Sequence, residues 1–542
     1  MLAMVINGKH IAPNFESNSL SSNGSVNTNS ALQKSPRESS LEFSEELLEF
    51  YKSHNSDLSI DTISCYSPWR FVRFNPRYDE EETLKILEDE VENSRNCSIG
   101  EDDGEKCHSN KIIQCSKSIG VTSVPWLEPR WGFYALPAKF PLSKSPSFRS
   151  GKIYGMDVSS GAAVAVLLTD HYDINSFDDS GSQKVQITIK EEEKTYISDG
   201  LDERGDVRIL DLCCSPGLKL LQIADFFHED SMKSTTGARK LNSVKLIGVD
   251  ICEHRINVCK SIVKKYFVEF ETSGRVGMNK KESLENNVNI QLFLQDGTIF
   301  GLSGSTSNGK SGNLVFDSRV AVEEMFQRRG KRKRMNKSAR AREKKKLREV
   351  VNFETKRVAI EAGSAREDNK GAQNIIELFD YVLVDAECST DGSFKHIKER
   401  IKGSLSNKHK EDCHLREENR RLTDPSKLRE LVDLQRKLIA SGFRLLKDGG
   451  TLVYSTCSLS EDQNENVVKW LLESNKDAIL QPLSFPSIQN TKYVVEGSLE
   501  GTIRFYPNFA QCAEPTNPLL GDGFFVAKVR KRPKFTIERN SI

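Results

Sequence analysis

Two cysteines stand where strands run out, and their setting suits covalent chemistry. Cys457 lies in KDGGTLVYSTCSLS (Lys447 to Ser460) and Cys388 in FDYVLVDAECSTDG. The β-favouring run from Thr451 to Tyr454, entered through Gly449 and Gly450, reads as a buried strand. Cys457 then falls just past its C-terminal edge. In open α/β sheets ligands bind at that edge, so a cysteine delivered there is a candidate nucleophile. Cys388 follows a second strand, Tyr381 to Val384, and stands close to Asp385. A single cysteine in either position is more often a small packing residue. Two of them at strand ends, one beside a carboxylate, fit attack on an electrophilic ring.

The elements that must position these groups begin at Val207. VRILDLCCSPGLKLLQIAD reads as a strand (Ile209 to Leu212), a tight loop around Pro216 and Gly217, and a helix with Leu218, Leu220, Leu221 and Ala224 at helical spacing. A glycine turn between strand and helix lets a ligand approach the backbone and meet its N–H groups. A second strand, VKLIGVDI, ends in Asp250, where folds of this kind grip a nucleotide's ribose hydroxyls. Its distance from Gly217 exceeds the usual spacing, and the polar, basic run from Ser231 to Asn242 accounts for the excess. A third strand, Asn289 to Leu294, leads to Asp296 and Gly297. Asp424 and Pro425 open a helix as N-cap and first helical residue, with Leu428, Leu431, Leu434 and Leu438 as one apolar stripe. Ser460 and Gln463 form a capping box for a helix toward Leu472, and Ser159 or Ser160 caps a helix through Ala162 to Leu168. TIRFYP and GDGFFVAKVRK read as terminal strands. Strands alternating with helices predict a mostly parallel sheet covered on both faces.

Composition bounds the rest. With 542 residues and 37% hydrophobic content the chain can build one large enzyme domain with additions. Lys and Arg total 78 against 77 Asp and Glu, a formal net charge of +1, so attraction to nucleic acid must come from local clusters. The 12 cysteines, without a signal-peptide pattern or a membrane-length apolar run, predict a reducing intracellular setting, no membrane association and no structural disulfides. Cys97, Cys107 and Cys115 are widely spaced and predict no metal site. Residues 1–45, rich in Ser and Asn, read as a disordered tail. Residues 46–118 read as a small N-terminal region and linker. In it YSPWRFVRFNPR interleaves Trp69, Phe71 and Phe74 with Arg70, Arg73 and Arg77. That pattern suits a small sheet touching RNA through phosphates and stacking, or an edge strand with solvated arginines. Residues 119–542 form the main domain, with insertions at about 170–206 and 303–370. The second carries QRRGKRKRMNKSARAREKKKLREV, a block that predicts nucleic-acid contact or a nuclear address.

At these residues a family resemblance becomes specific. LDLCCSPGLK, GVDI, FDYVLVDAECSTDG, LLKDGGTLVYSTCSLSEDQNENVV and DGFFVAKV resemble the successive motifs of RNA cytosine-5 methyltransferases of the Nop2/Sun (RsmB-like) family. The resemblance runs from about Ser150 to the C-terminus, the insertions excepted. It implies a Rossmann-like S-adenosylmethionine-dependent methyltransferase fold with a small N-terminal α+β RNA-binding region. It also implies S-adenosylmethionine as cofactor, with the methionine portion held by Cys213, Cys214, Ser215, Pro216, Gly217, Leu218 and Lys219. Asp250 would bind the ribose, Asp296 would face the adenine, and Asp385 would contact the target cytosine at the cofactor's edge. Cys457 would be the nucleophile, and Cys388 would assist loss of the C5 proton and enzyme release.

Cytosine C5 is a poor nucleophile until a thiolate adds to C6, which requires a thiol whose pKa is lowered locally. Two departures stand out: Glu387 replaces the family's usual proline, and Leu218 a usual second glycine. The expected substrate is tRNA ahead of rRNA, in the nucleus, with no obligate protein partner. The alternative from another class is an inactive methyltransferase-like assembly factor acting through its basic block.

Overall fold

The computed structural model describes residues 69–97, 120–124, 126–127, 131–173, 205–233, 243–269, 287–302, 313–330, 378–393, 424–485, 494–506 and 521–533. The expected tail, Cys107, Cys115, the side chain of Cys97, most of the first insertion and the basic block beyond Gly330 lie outside these residues.

A small antiparallel sheet comes first in the chain. It takes β1 (Arg70–Phe74), β2 (Thr122–Ser123), β3 (Phe133–Leu136) and β4 (Ile153–Gly155) in the order β2-β3-β1-β4, with helix α1 (Glu80–Cys97) following β1. The boundary expected near 119 therefore falls inside this sheet, between β1 and β2. Two of the arginines, Arg73 and Arg77, do not behave as either sequence reading anticipated. Arg73 and Arg77 are buried and both bridge Asp225, with the Tyr154 hydroxyl completing the cluster. Arg73 Nε also donates to the Trp131 carbonyl at 2.9 Å. The alternation of arginines and aromatics is thus a docking pattern, in which phenylalanines and guanidiniums are covered together.

The main sheet is built from β5 (Asp206–Asp211), β6 (Ser243–Asp250), β7 (Val288–Leu294), β8 (Asn313–Asp317), β9 (Phe379–Asp385), β10 (Leu446–Thr456), β11 (Ala478–Gln481), β12 (Val494–Glu496), β13 (Ile503–Phe505) and β14 (Phe524–Lys531). Its order is β12-β13-β14-β10-β9-β5-β6-β7-β8, with β11 also paired to β14. The five strands from β10 to β7 are mutually parallel, and β14 and β8 run antiparallel to their neighbours. The expected parallel sheet forms only the centre of a mixed one, because β8 and the C-terminal strands pair antiparallel; β9, at that centre, is almost wholly buried, as suits a strand covered on both faces. One face packs on α2 (Val158–Asp173), α3 (Leu218–Lys233) and α4 (Glu253–Val263); the other packs on α6 (Pro425–Leu445) and α7 (Glu465–Ser474). Helix α5 (Ser318–Gly330) follows β8. Residues 313–330, expected to be insertion, instead extend the sheet and add a helix at its edge.

Two caps differ from expectation and one agrees. Asp424 Oδ1 accepts from Ser426 N at 2.9 Å with Pro425 at the first helical position, as read from the sequence. Asp157, rather than Ser159 or Ser160, caps α2 by accepting their backbone N–H groups at 3.0 and 3.4 Å. Helix α7 starts after Asn464 with no side-chain cap, so the Ser460 and Gln463 box does not form. Gln463 is recruited elsewhere, as described below.

Strand order reverses between β5 and β9: the chain steps outward from β5 through β6 and β7, then returns to the other side of β5. Such a switch point opens a crevice at the strand C-termini. The loops after β5, β9 and β10 all emerge there.

Candidate active site

The loops after β9 and β10 bring both cysteines together. Cys388 Sγ and Cys457 Sγ lie 3.1 Å apart, the first buried and the second partly open to the crevice. In β10 and β9, Ser455 is directly opposite Asp385, and its hydroxyl donates to Asp385 Oδ1 at 2.7 Å. The other carboxylate oxygen accepts from Lys219 Nζ at 2.6 Å, and that ammonium also reaches Ser160 Oγ at 2.5 Å. Lys219, expected with the cofactor loop, therefore turns its side chain to the Asp385 carboxylate. Ser455 was not singled out from the sequence, and Ser160 was read only as a helix cap. Ser455 belongs to the STCS segment and alternates with Thr456 along the strand, the one signal that could have found it.

Buried polar groups lock the two cysteine loops to each other. Gln463 Oε1 accepts from Ser389 N at 3.0 Å, and Gln463 Nε2 donates to Ser389 Oγ at 2.9 Å. Gln435 Nε2 donates to the Glu387 carbonyl at 2.8 Å. Asp391, fully buried, accepts from the Ser389 hydroxyl and from Leu459 N. Gly392 N donates to the Cys457 carbonyl at 2.9 Å; a Cβ there would meet that oxygen at 2.7 Å and the Gly523 carbonyl at 2.8 Å. Only glycine fits between these backbones.

The sequence reading called for a thiol with a lowered pKa, and the resting site does the opposite. The hydrogen bond with Cys388, burial, and the nearby carboxylates Asp385 and Asp391 push the Cys457 thiol well up. The Lys219 ammonium is paired with Asp385. Cys457 is accordingly held as a thiol until a ligand changes its surroundings.

On the other side of the crevice, the loop Cys213 to Lys219 turns through Gly217, whose φ is +105°. A Cβ at Gly217 would meet Cys259 Sγ at 2.7 Å, so the turn requires glycine for both reasons. The Cys214 thiol points into the core, 4.0 Å from Cys259 Sγ, and contributes to the loop only through its backbone. Pro216 is exposed and Leu218, partly buried, starts α3. Asp250 ends β6 nearly buried, accepting from Cys252 N at 2.8 Å and pairing with Arg255 Nε at 3.3 Å. Asp296 accepts from Thr298 N and Oγ1, both at 2.8 Å.

Three observations fit S-adenosylmethionine, the cofactor that the family resemblance implies. The buried Ser215 hydroxyl in the loop has no partner among the described residues. Ile251, next to Asp250, is 66% exposed, an apolar surface suited to a flat base. The acids Asp211, Asp250 and Asp385 ring the loop and favour a cation.

Asp211, missed in the sequence, is completely buried. Burial, then the neighbouring Asp385, push its carboxyl up to about 7. A raised carboxyl pKa makes ionisation cost folding stability as pH climbs from the unfolded value of about 4 toward neutrality. Asp211→Asn keeps the acceptor for Cys213 N and removes that cost. Without cofactor, the variant should melt several degrees above the parent near pH 8, and the gap should close near pH 5. Parallel melting profiles across that range would refute the assignment.

Residues 332–530 match the family described as 16S rRNA methyltransferase RsmB/F, a segment that carries Asp385, Cys388 and Cys457. Among curated proteins, the chain is 34% identical over 158 residues to ribosomal RNA small subunit methyltransferase F of Escherichia coli, covering 29% of this chain and 26% of that protein. The Shigella boydii protein of the same name matches to the same extent. The chain thus spans about a quarter of the length of these relatives. Solved structures that align include a methyltransferase homolog from Pyrococcus horikoshii (18% identity, 91% of this chain and 96% of that chain, TM-score 0.42) and NSun6 from Pyrococcus horikoshii with SFG (15% identity, 91% and 99%, TM-score 0.43). In the segment that carries the cysteines the chain is RsmB/F-like, and the family resemblance read from the sequence is borne out.

Proposed function

We propose that the protein is an S-adenosylmethionine-dependent RNA methyltransferase that modifies cytosine at C5 through a covalent adduct. The observation that carries this reading is the pair of thiols 3.1 Å apart at the switch-point crevice, beside a carboxylate fixed by Ser455 and Lys219. The bound cofactor supplies an electrophilic methyl group. In this reading Cys213 to Lys219 and Asp250 hold that cofactor, and Asp296 borders its base. Asp385 hydrogen-bonds the cytosine edge and balances charge that develops on the ring. The Cys457 thiol gives up its proton as Sγ bonds to C6, and the C5–C6 electron pair becomes available at C5. After C5 is methylated, Cys388 assists removal of the C5 proton. Those electrons restore the double bond and break the C6–S bond, releasing Cys457. The base must be unpaired or flipped to reach the crevice.

The relatives' names point to small-subunit ribosomal RNA, whereas tRNA is the substrate expected first from the sequence. One assay separates them. The full chain is incubated with methyl-labelled cofactor and size-fractionated RNA, followed by nucleoside analysis. Label in 5-methylcytidine from one RNA class supports the proposal and names the class. Label at any other nucleoside position refutes it. Cofactor binding that fails altogether favours the assembly-factor reading. The basic block from Gln327 supports a nuclear address, which imaging of the tagged chain with and without the block tests.

A further inference from the structure

The thiols at the crevice have a chemistry besides methyl transfer. Six cysteines have described side chains, and two pairs of them stand thiol to thiol. Cys214 and Cys259, 4.0 Å apart, are both buried and so covered from reagents. Cys388 and Cys457 are closer, at 3.1 Å, and Cys457 is partly open to the crevice. The sulfurs of a disulfide lie about 2.05 Å apart, so this pair would close over about 1 Å of movement. The backbones on either side are already joined. Ala386 N donates to the Ser455 carbonyl and Gly392 N to the Cys457 carbonyl, both at 2.9 Å. A bond between the sulfurs would therefore link two loops that the fold holds together without it.

An open thiol in front of a buried one suits thiol–disulfide exchange in two steps. In the first, Cys457 loses its proton and attacks a low-molecular-weight disulfide, forming a mixed disulfide and releasing one small thiol. In the second, Cys388 loses its proton and attacks Cys457 Sγ, expelling the other small thiol. The two cysteines give up two electrons and two protons, and the external disulfide takes them up.

We propose that Cys388 and Cys457 are a site of reversible oxidative modification, closed by a small external disulfide and reopened by thiols. In the reducing setting expected from the sequence, the bond forms only when the thiol pool turns oxidising. That closure stops methyl transfer rests on the reaction proposed above, which uses both thiols. The bond itself does not depend on that reaction.

Peptide mapping detects the bond independently of activity. The full chain is incubated at mildly alkaline pH with oxidised glutathione, alkylated and digested without reduction, and methyl transfer is assayed in parallel. A peptide linking Cys388 to Cys457 should appear, methyl transfer should fall in proportion to the linked fraction, and dithiothreitol should restore both. In Cys388→Ser, Cys457 should stop at the mixed disulfide with glutathione. A parent whose Cys457 also stops there, or pairs with Cys213, overturns the proposal. So does a link that forms only after denaturation. A link formed in a chain that never methylates RNA, or that still does so when fully linked, supports the modification site and counts against the proposed reaction alone.

Discussion

Cys457→Ala should abolish methyl transfer, by a factor on the order of ten thousand or more, because in the proposed reaction Cys457 forms the bond to C6. Cys388→Ala should instead stall after the bond forms, leaving protein and RNA covalently joined on a denaturing gel. The contrast follows from position: Cys457 is partly open to the crevice, while Cys388 is buried behind it and touches it at 3.1 Å. Cys388 can hand a proton on but cannot reach a ring ahead of Cys457. Both variants remove one small side-chain group and should stay folded, with cofactor binding unchanged. An adduct with Cys457→Ala, or turnover that survives it, would overturn the assignment of the nucleophile. Because Cys457 is held protonated at rest, single-turnover adduct formation should also accelerate as pH rises above neutrality.

The second large effect lies away from the chemistry. Asp225→Asn should cost about 3–5 kcal/mol, because it leaves the guanidiniums of Arg73 and Arg77 facing a neutral amide where water does not reach. Burial by itself would raise the Asp225 carboxyl, but Arg77 and Arg73 outweigh it and hold it below the usual carboxylate range. A depressed carboxyl pKa gives stability that is complete above the unfolded value and fades as pH falls through the folded one. The parent should therefore lose stability on acidification more steeply than Asp225→Asn. Urea denaturation at neutral and mildly acidic pH measures both quantities. A midpoint within error of the parent at neutral pH would mean that the cluster is hydrated and carries little of the fold.

The main sheet was legible because its strands are nearly continuous apolar runs that end in acids or cysteines. Asp385, Cys388 and Cys457 could be named because each sits at a strand's C-terminal edge, where register fixes a side chain in the crevice. The polar groups that bind those loops together were not legible. Gln463 looked like a capping residue since its spacing from Ser460 satisfies that pattern, and nothing local says that Ser389, far away in sequence, competes for it. Arg73 and Arg77 looked like RNA contacts because a guanidinium paired with a distant aspartate has the same local sequence as a solvated one. Asp211 was passed over as one acid among several, and its perturbation arises from burial and from the approach of Asp385 and Asp250, which only the fold brings about. Strand β8 was hidden inside a polar stretch, where pairing to β7 supplies what five residues of modest apolar character could not.

The clamp on Asp225 also limits how this molecule can be recombined. Asp225 sits on α3, the same helix that starts at the Gly217 turn and carries Lys219, so the small sheet and the crevice share one rigid part. A chimera that replaces residues 70–77 with another chain's strand would bury Asp225 without its counter-charges. Exchanging the small sheet as a cassette therefore requires moving β1, Tyr154 and the matching turn of α3 together. Substrate preference in this protein is accordingly better redesigned at its exposed loops than by swapping its first sheet.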